Sequence, residues 1–328
     1  TGEDLRKLLL EHLRSPDAKQ GSGLIVDYSA GRKRKYQSNF SRLCGGSLGG
    51  KARGLAFARN MLEQSDIQAE FESLEIDIPK TAVIGTDEYD RFMKDNGLWK
   101  KALYATDDQE LERLFLDARF SLDIMLKLES YLQENTSPLA VRSSSLLEDS
   151  QYQPLAGTYA TFMLPNNQPT VKERLHLLLK TIKRIYASTF KGDARTLLEN
   201  TAHRIEEEKM AVIIMEIAGQ EYSSGRYYPT ISGVLRSINY YPVSYMTRDE
   251  GVAYLALGFG KTIVDGGKCL RISPKYPNIQ PQFYSTRSTL QNSQNQFYGL
   301  DLNATIEENN SQDLVPYNLK EAEQDSAL

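Results

Sequence analysis

The run GGSLGGKARG at residues 45–54 surrounds a single lysine with five glycines. Glycine loses more conformational entropy on folding than other residues, so this run indicates a loop with positive φ angles or close backbone approach. Apolar residues recur at helical intervals from Lys51 to Leu62, which predicts a helix that begins at the loop. Amides at a helix N-terminus with a lysine within reach are typical of an anion site. The alternative is a flexible loop with a solvated lysine.

Two stretches approach the P-loop pattern without completing it. Gly45, Gly50 and Lys51 have the required spacing, but Ala52 stands where the motif needs a hydroxyl for magnesium. The stretch GFGKT at 258–262 has the Lys-Thr pair, but Leu255 occupies the position of the first glycine. A P-loop is therefore not expected.

Composition limits the class of protein. The chain has 328 residues, 40% of them apolar and 25% charged, which predicts a soluble globular protein with room for two domains. A net charge of −4 provides no broad basic field for nucleic acid, and the basic run at 32–35 is interpreted as a solvated loop. Two cysteines without metal spacing favour a cytoplasmic setting, and no apolar run predicts a membrane span. Because it starts at Thr1, the chain is expected to be a piece of a longer protein.

The periodicity of the apolar residues predicts a mixed α+β fold, because helices and strands do not alternate strictly. Thr86 is predicted to cap a helix whose first turn contains Asp87 and Glu88. The other predicted helices cover 5–13, 51–62, 108–132 and 170–190, and the predicted strands cover 23–29, 81–85, 139–144, 158–164, 211–217, 230–238 and 252–258. Beyond Ile279 the chain is rich in Ser, Asn and Gln, which predicts a connector or tail.

A second candidate anion site lies in PLAVRSSSLLEDSQYQPLAGTYATF, residues 138–162. Arg142 ends an apolar strand and is followed by three serines and by the acidic pair Glu148 and Asp149. The planar guanidinium group suits a phosphate oxygen. A local ion pair between Arg142 and one of the two acids is an equally good interpretation of the spacing.

This stretch resembles the ATP-binding domain of the phosphoenolpyruvate synthase and pyruvate phosphate dikinase family. The motifs shared in order and spacing are Val141-Arg142-Ser143-Ser144, Glu148-Asp149, Ala156-Gly157 and Thr161-Phe162. Similar segments are GGKARGLA (49–56), IPKTAVIGTDEY (78–89), IKRIYASTF (182–190), AVIIMEIAG (211–219), SGVLRSIN (232–239) and LGFGKTIVDGG (257–267). The resemblance covers about residues 45–275.

The resemblance implies a bilobal ATP-grasp fold, with mixed and antiparallel sheets, flanking helices, and ATP held between the lobes. The implied boundaries are an N-terminal extension (1–44), a first lobe (45–205), a second lobe with the adenine strand (206–278) and a C-terminal connector or tail (279–328). Lys51 and Arg142 would neutralise the phosphates, and the loop at Gly157 and Thr158 would cover them.

The resemblance also implies an adenine site along the strand that ends at Met215, Glu216 and Ile217, with Glu216 near the base or ribose. An apolar strand that ends in a single acid suits a purine independently of any family, although Glu216 could equally begin a turn. Further candidates for phosphate contact, each equally a surface residue, are Arg236, Lys268 and Arg271.

Two positions depart from the family pattern. Lys261 stands where the family has a glutamate that binds Mg²⁺, and Met215 stands where many relatives have glutamine. Lys261 could compensate phosphate charge in place of the metal, or it could mark a site that binds nucleotide weakly. Glu148 and Asp149 are the nearest candidate metal ligands.

The function implied is that of an ATP-binding domain of a phosphotransferase similar to pyruvate, water dikinase. It would present ATP to a histidine on a downstream domain, which would pass the phosphate to pyruvate. The candidate histidines His12, His176 and His203 lack the family's Thr-Cys-His context, so the fragment alone is expected to be inactive. The alternatives are a degenerate nucleotide-sensing or docking module and a dikinase with another acceptor, such as a glucan or an antibiotic.

Overall fold

A computed structural model describes most of the chain, and its residues fall into two compact units. The described ranges are 25–28, 39–105, 107–145, 159–192, 208–222, 225–243, 245–304 and 314–327. The first unit takes the described residues of Thr1–Tyr131, Ser143–Tyr159 and Lys183–Met215, and the second those of Leu132–Arg142, Ala160–Ile182 and Glu216–Leu328. The units are discontinuous in sequence, and the implied lobe boundaries stay a prediction.

Helices and strands are both abundant, which confirms the predicted α+β class. The helices are α1 (Gly49–Gln64), α2 (Ile67–Glu70), α3 (Thr86–Asp95), α4 (Leu98–Tyr104), α5 (Asp108–Asp117), α6 (Leu122–Glu134), α7 (Val171–Ser188), α8 (Lys261–Val264), α9 (Thr286–Asn292) and α10 (Leu319–Gln324). The strands are β1 (Val26–Asp27), β2 (Phe40–Arg42), β3 (Thr81–Ile84), β4 (Leu139–Ser145), β5 (Thr161–Leu164), β6 (Met210–Glu216), β7 (Gln220–Glu221), β8 (Arg226–Tyr228), β9 (Ser232–Arg236), β10 (Val252–Ala256), β11 (Leu270–Ile272), β12 (Gln296–Asp301) and β13 (Val315–Asn318). No helix in the described part is both long and apolar enough to span a bilayer.

The sheet of the first unit is mixed. Strands β1, β2 and β3 run parallel, and β6 pairs antiparallel with β3 in a register that places Val83 opposite Ile213. Both strands are buried on both faces over most of their length, which accounts for their continuous apolar sequences. One side of the sheet packs against α1 through Ala52, which is fully buried.

The predicted helix over 108–132 is wrong in one respect, because the chain breaks it into α5 and α6. Ala118 is extended, and the side chain of Asn96 pairs with both the N–H and the C=O of Arg119 at 2.9 Å. The break lets Phe120 turn inward, where its ring centroid lies 4.6 Å from that of Phe92. The apolar spacing continues across the break, so periodicity alone did not reveal it.

The second unit contains antiparallel sheets in the strand orders β11-β10-β9 and β13-β12-β8-β7. It also contains the β4–β5 pairing, in which Arg142 lies opposite Thr161. The described residues beyond Ile279 differ from the predicted connector or tail. They form α9, β12, β13 and α10, and Phe297, Leu300 and Ala322 belong to the core of the unit.

A buried ion pair fastens the C-terminal helix to β8. Asp325, whose side chain is 1% exposed, accepts a hydrogen bond from Arg226 Nε at 2.8 Å and another from the Tyr228 hydroxyl at 3.0 Å. The second acid near Arg226 is Glu321, which is 29% exposed and lies 3.7 Å from the guanidinium group. The two acids therefore differ in burial while sharing one partner.

We expect Asp325→Ala to lower the free energy of unfolding by about 3 kcal/mol, because it leaves a largely buried guanidinium group without its main partner. The variant Glu321→Ala should cost less, about 1 kcal/mol, since it removes a partly exposed ion pair and the capping-box hydrogen bond that Glu321 accepts from Asn318 N–H at 2.8 Å. Urea unfolding of both variants measures the difference. Equal losses would contradict the assignment of Asp325 as the fastening residue.

Candidate functional site

The predicted glycine loop leads into α1. Gly49, the first residue of the helix, lies very close to the backbone of another element. This glycine has φ +73°, and a Cβ atom there would lie 1.9 Å from the backbone oxygen of Ser144 on β4. Any L side chain would be strained by the dihedral angle and would also collide with that strand. The glycine is therefore needed for packing between the start of α1 and β4.

Ser144 holds the first turn of α1 through its hydroxyl group. The Oγ atom accepts a hydrogen bond from Ala52 N–H at 3.1 Å and donates one to Leu48 O at 2.7 Å. Next to it, Ser143 Oγ lies 3.4 Å from Lys51 Nζ. Both serines are fully buried. The two serines that follow Arg142 thus fix the helix terminus and its lysine.

The other end of the glycine loop is bonded to the start of α3. Ser47 and Thr86 form a reciprocal pair, in which Ser47 N–H donates to Thr86 Oγ1 at 2.9 Å and Thr86 N–H donates to Ser47 O at 3.0 Å. The predicted cap at Thr86 is therefore wrong by one residue: Gly85 is the N-cap, because the Thr86 hydroxyl is occupied by the loop. Burial also raises the pKa of the adjacent Cys44 thiol to about 11.

Arg142 lies in the middle of β4 rather than at its end, and it is half-buried. Its Nε atom is buried and has no hydrogen-bond partner among the described residues. The alternative partners Glu148 and Asp149 lie outside the described residues, so the predicted local ion pair is not tested. Burial of a guanidinium nitrogen without an acceptor costs free energy, unless a further group accepts its hydrogen bond.

The predicted adenine strand is β6, and its last residues are half-buried. Met215 packs against the apolar cluster of the first unit, and Glu216 ends the strand. Ile217 is buried in the second unit, where its N–H donates to Pro138 O at 2.9 Å and its C=O accepts from the Tyr227 hydroxyl at 2.7 Å. The backbone of Ile217 is thus already hydrogen-bonded within the protein.

Lys261 is the first residue of α8, directly after the GFG turn. Its Nζ atom lies 3.2 Å from Asp265 Oδ2 and 5.5 Å from the centroid of the Tyr298 ring. No group of three His, Cys, Asp or Glu side chains within the described ranges could hold a metal ion. An ammonium group paired with the nearest acid does not fit a Mg²⁺ site, so the described residues around Lys261 do not supply one.

The remaining predicted cations lie on or near the sheet β11-β10-β9. Arg236 is exposed at the end of β9. Arg271 on β11 donates to Asn239 Oδ1 at 3.0 Å and to Tyr241 O, and its guanidinium carbon lies 5.9 Å from the centroid of the Tyr254 ring. Arg271 therefore braces a neighbouring loop in this structure.

Comparison with known families decides the classification. The model of the pyruvate phosphate dikinase AMP/ATP-binding domain matches residues 46–324. The chain belongs to this family. The match extends past Ile279, so the dikinase-type domain includes the C-terminal elements that the sequence interpreted as a tail. Membership supports an ATP-binding, kinase-like role.

One curated relative is an uncharacterized phosphotransferase, YvkC, of Bacillus subtilis (strain 168). It is 28% identical over 192 residues, which is 58% of this chain and 20% of the relative. The chain thus spans about a fifth of the length of that relative. The relative's name supports a phosphotransferase in general terms.

Several predicted residues of the dikinase-type domain lie outside the described ranges. They are Glu148, Asp149, Gly157, Thr158, His12, His203, the basic run at 32–35 and the helix at 5–13. His176 is described and is exposed on α7. Gly157 and Thr158 therefore stay predictions as phosphate contacts, as Glu148 and Asp149 do as metal ligands.

Two residues of this region are not identified by the sequence pattern. Ser144 is one of three consecutive serines, and nothing in the local pattern distinguishes it from Ser143 or Ser145. The partner of Lys261 is Asp265, which the sequence could have indicated, because it follows by four residues, a spacing at which opposite charges meet on a helix.

We expect Gly49→Ala to lower the free energy of unfolding by about 2 kcal/mol or more, because of its positive φ and the contact with Ser144 O. Gly54→Ala is the matched control within α1, since a Cβ atom there meets no other atom within 4 Å. That variant should gain about 0.5–1 kcal/mol from the reduced entropy of the unfolded chain. Denaturant unfolding measures both, and a neutral Gly49→Ala would contradict the packing role.

Proposed function

We propose that this domain binds ATP and presents it to a histidine on a separate downstream domain, from which the phosphate passes to pyruvate. Lys51 and Arg142 bind the phosphates in this proposal, together with the amides at Gly157 and Thr158. Met215, Glu216 and Ile217 line the adenine and ribose. The domain contributes positioning and charge neutralisation, not a nucleophile, so it is inactive alone.

The observation that carries the proposal is the buried Nε of Arg142, which has no hydrogen-bond partner among the described residues. A phosphate oxygen would accept from this guanidinium group and complete its hydrogen bonding. Lys51 supports the same role, because the Ser143 hydroxyl lies 3.4 Å from its ammonium group and the Ser144 hydroxyl holds the first turn of α1. A cation held before the ligand arrives loses less entropy on binding.

The adenine part of the proposal rests on the side chains of β6 rather than on the backbone of Ile217. Both backbone groups of Ile217 already have partners in Pro138 and Tyr227. The half-buried Met215 therefore supplies an apolar wall for the base, and the half-buried Glu216 supplies a hydrogen-bond acceptor. The base makes fewer hydrogen bonds than it would to a strand end whose backbone groups had no partners.

Lys261 takes over part of the charge compensation that Mg²⁺ provides in this proposal, with Arg236 and Arg271 as further phosphate contacts. Its pairing with Asp265 at 3.2 Å means that phosphate must compete with a carboxylate. The same observation favours a second candidate function, a degenerate domain that senses nucleotide or serves for docking. If a metal takes part, its ligands are Glu148 and Asp149.

We expect Lys51→Ala and Arg142→Ala each to weaken ATP binding by roughly tenfold to a hundredfold, because each removes a charge-assisted hydrogen bond. Isothermal titration calorimetry measures the dissociation constants, and Arg142→Met tests the guanidinium with the aliphatic stem kept. Lys94→Ala and Arg113→Ala, at exposed positions of the first unit, are the matched controls. Wild-type affinity in both site variants would refute the assignment.

A second titration tests the role of Lys261. If its ammonium group replaces the metal, ATP affinity should change little between buffers with Mg²⁺ and with EDTA, and Lys261→Glu should make binding depend on Mg²⁺. Strict dependence on Mg²⁺ in the unchanged protein would contradict this role and favour Glu148 and Asp149 as ligands. Absence of ATP binding under both conditions would favour a docking function.

A further inference from the structure

Helix α1 carries apolar side chains on two opposite sides. On its inner side, Ala52, Leu55 and Ala56 pack against the sheet of the first unit. On its outer side, Phe57 is 65% exposed and Met61 is 55% exposed. These two side chains are four residues apart, so they lie on the same face of the helix. A helix that is apolar on both sides is typical of an element that is covered on both sides.

Gly54 and Ala58 extend the outer side into a continuous stripe. Because an α-helix turns by about 100° per residue, an arc of about 100° contains all four members of this outer stripe, Gly54, Phe57, Ala58 and Met61. All four are exposed, and the sequence places no charged residue within the arc. An exposed apolar surface of this kind indicates a contact with another segment or molecule.

The chain before β1 provides an apolar segment that is tethered close to α1. Ile25 begins the described residues, and it packs against the same apolar cluster as Leu55 and Ala56 of α1. Residues 1–24 lie outside the described residues. Their sequence predicts a helix over 5–13 with one apolar face, formed by Leu5, Leu8, Leu9 and Leu13.

The length of the connecting chain allows the predicted helix to reach the outer stripe. Residues 14–24, RSPDAKQGSGL, join the predicted helix to Ile25, and their Pro, Ser and Gly content is typical of a linker. A chain of this length reaches about 36 Å when it is extended and spans about 18 Å when it is flexible. Helix α1 has 16 residues and is therefore about 24 Å long. The outer stripe is thus within reach of the segment.

We propose that the segment 5–13 docks its leucine face on the outer stripe of α1. A segment on so short a tether has an effective concentration in the millimolar range, so it competes well against a second copy of the chain or a partner protein at micromolar concentration. Docking removes Phe57, Met61 and the leucines from water, which supplies the driving force. The proposal does not depend on the ATP contacts assigned to Lys51 and Arg142, so the two can fail separately.

The test is the rate of maleimide labelling of Ala58→Cys in the full chain, which places a thiol at the centre of the outer stripe. Mass spectrometry of the labelled peptides distinguishes this thiol from Cys44 and Cys269. We expect labelling to be about tenfold faster when Leu8→Ala/Leu9→Ala is added. The reason is that a segment at millimolar effective concentration with a dissociation constant of about 0.1 mM leaves the stripe open about a tenth of the time.

Two matched controls isolate the leucine face. Lys7→Ala/Glu11→Ala changes the opposite side of the predicted helix without changing the net charge, so it should leave the slow labelling of Ala58→Cys intact. Lys94→Cys, at an exposed position of α3, should be labelled at the same rate with and without the leucine substitutions. Equal rates at Ala58→Cys with and without these substitutions would overturn the proposal. Protection that grows with protein concentration would overturn it in favour of a second copy.

A second measurement leaves all the leucines in place. His12 lies on the leucine face of the predicted helix, so a short bismaleimide should crosslink His12→Cys to Ala58→Cys within one chain. Thermal unfolding checks that each variant is folded. Crosslinks that join these positions only between chains, or no crosslink between them, would overturn the proposal.

Discussion

The start of α1 depends on the contact between Gly49 and β4. Only glycine can bring the helix terminus this close to the oxygen of Ser144, and only at this distance can the Ser144 hydroxyl bond both Ala52 N–H and Leu48 O. The amides of a helix N-terminus need partners, and a buried serine from a strand supplies one here. The position of Lys51 follows from this contact, because the lysine lies on the same turn.

The cations of the domain differ mainly in what already surrounds them. Arg226 is paired with Asp325, and Arg271 donates to Asn239 and Tyr241, although its Nε atom is buried without a partner among the described residues. Lys261 forms an ion pair with Asp265. Arg142 Nε is buried and has no acceptor within the part of the chain that the structure describes. All four side chains carry the same formal charge. Their capacity to bind a phosphate therefore depends on the free energy needed to displace the partners that they already have.

The sequence predicted the long elements well because their apolar residues repeat over many positions. The helix at 170–190 and the strands at 81–85 and 211–217 correspond closely to α7, β3 and β6. The prediction failed where distant groups intervene. Asn96 breaks the helix at Arg119, and the pairing of β12 with β8 turns a polar stretch into part of a core. Asn96 and β8 are both distant in sequence from the segments that they contact, so local patterns do not indicate these contacts.

The sequence by itself determined the α+β class, the family and the positions of Lys51 and Arg142 on a helix start and a strand. These follow from residue order, which fixes motif spacing and local periodicity. Only the tertiary structure decided that Gly49 is required by Ser144 and that Lys261 is paired with Asp265. Hydrogen bonding and burial depend on which groups packing brings within about 3 Å, and residues far apart in the chain determine that packing.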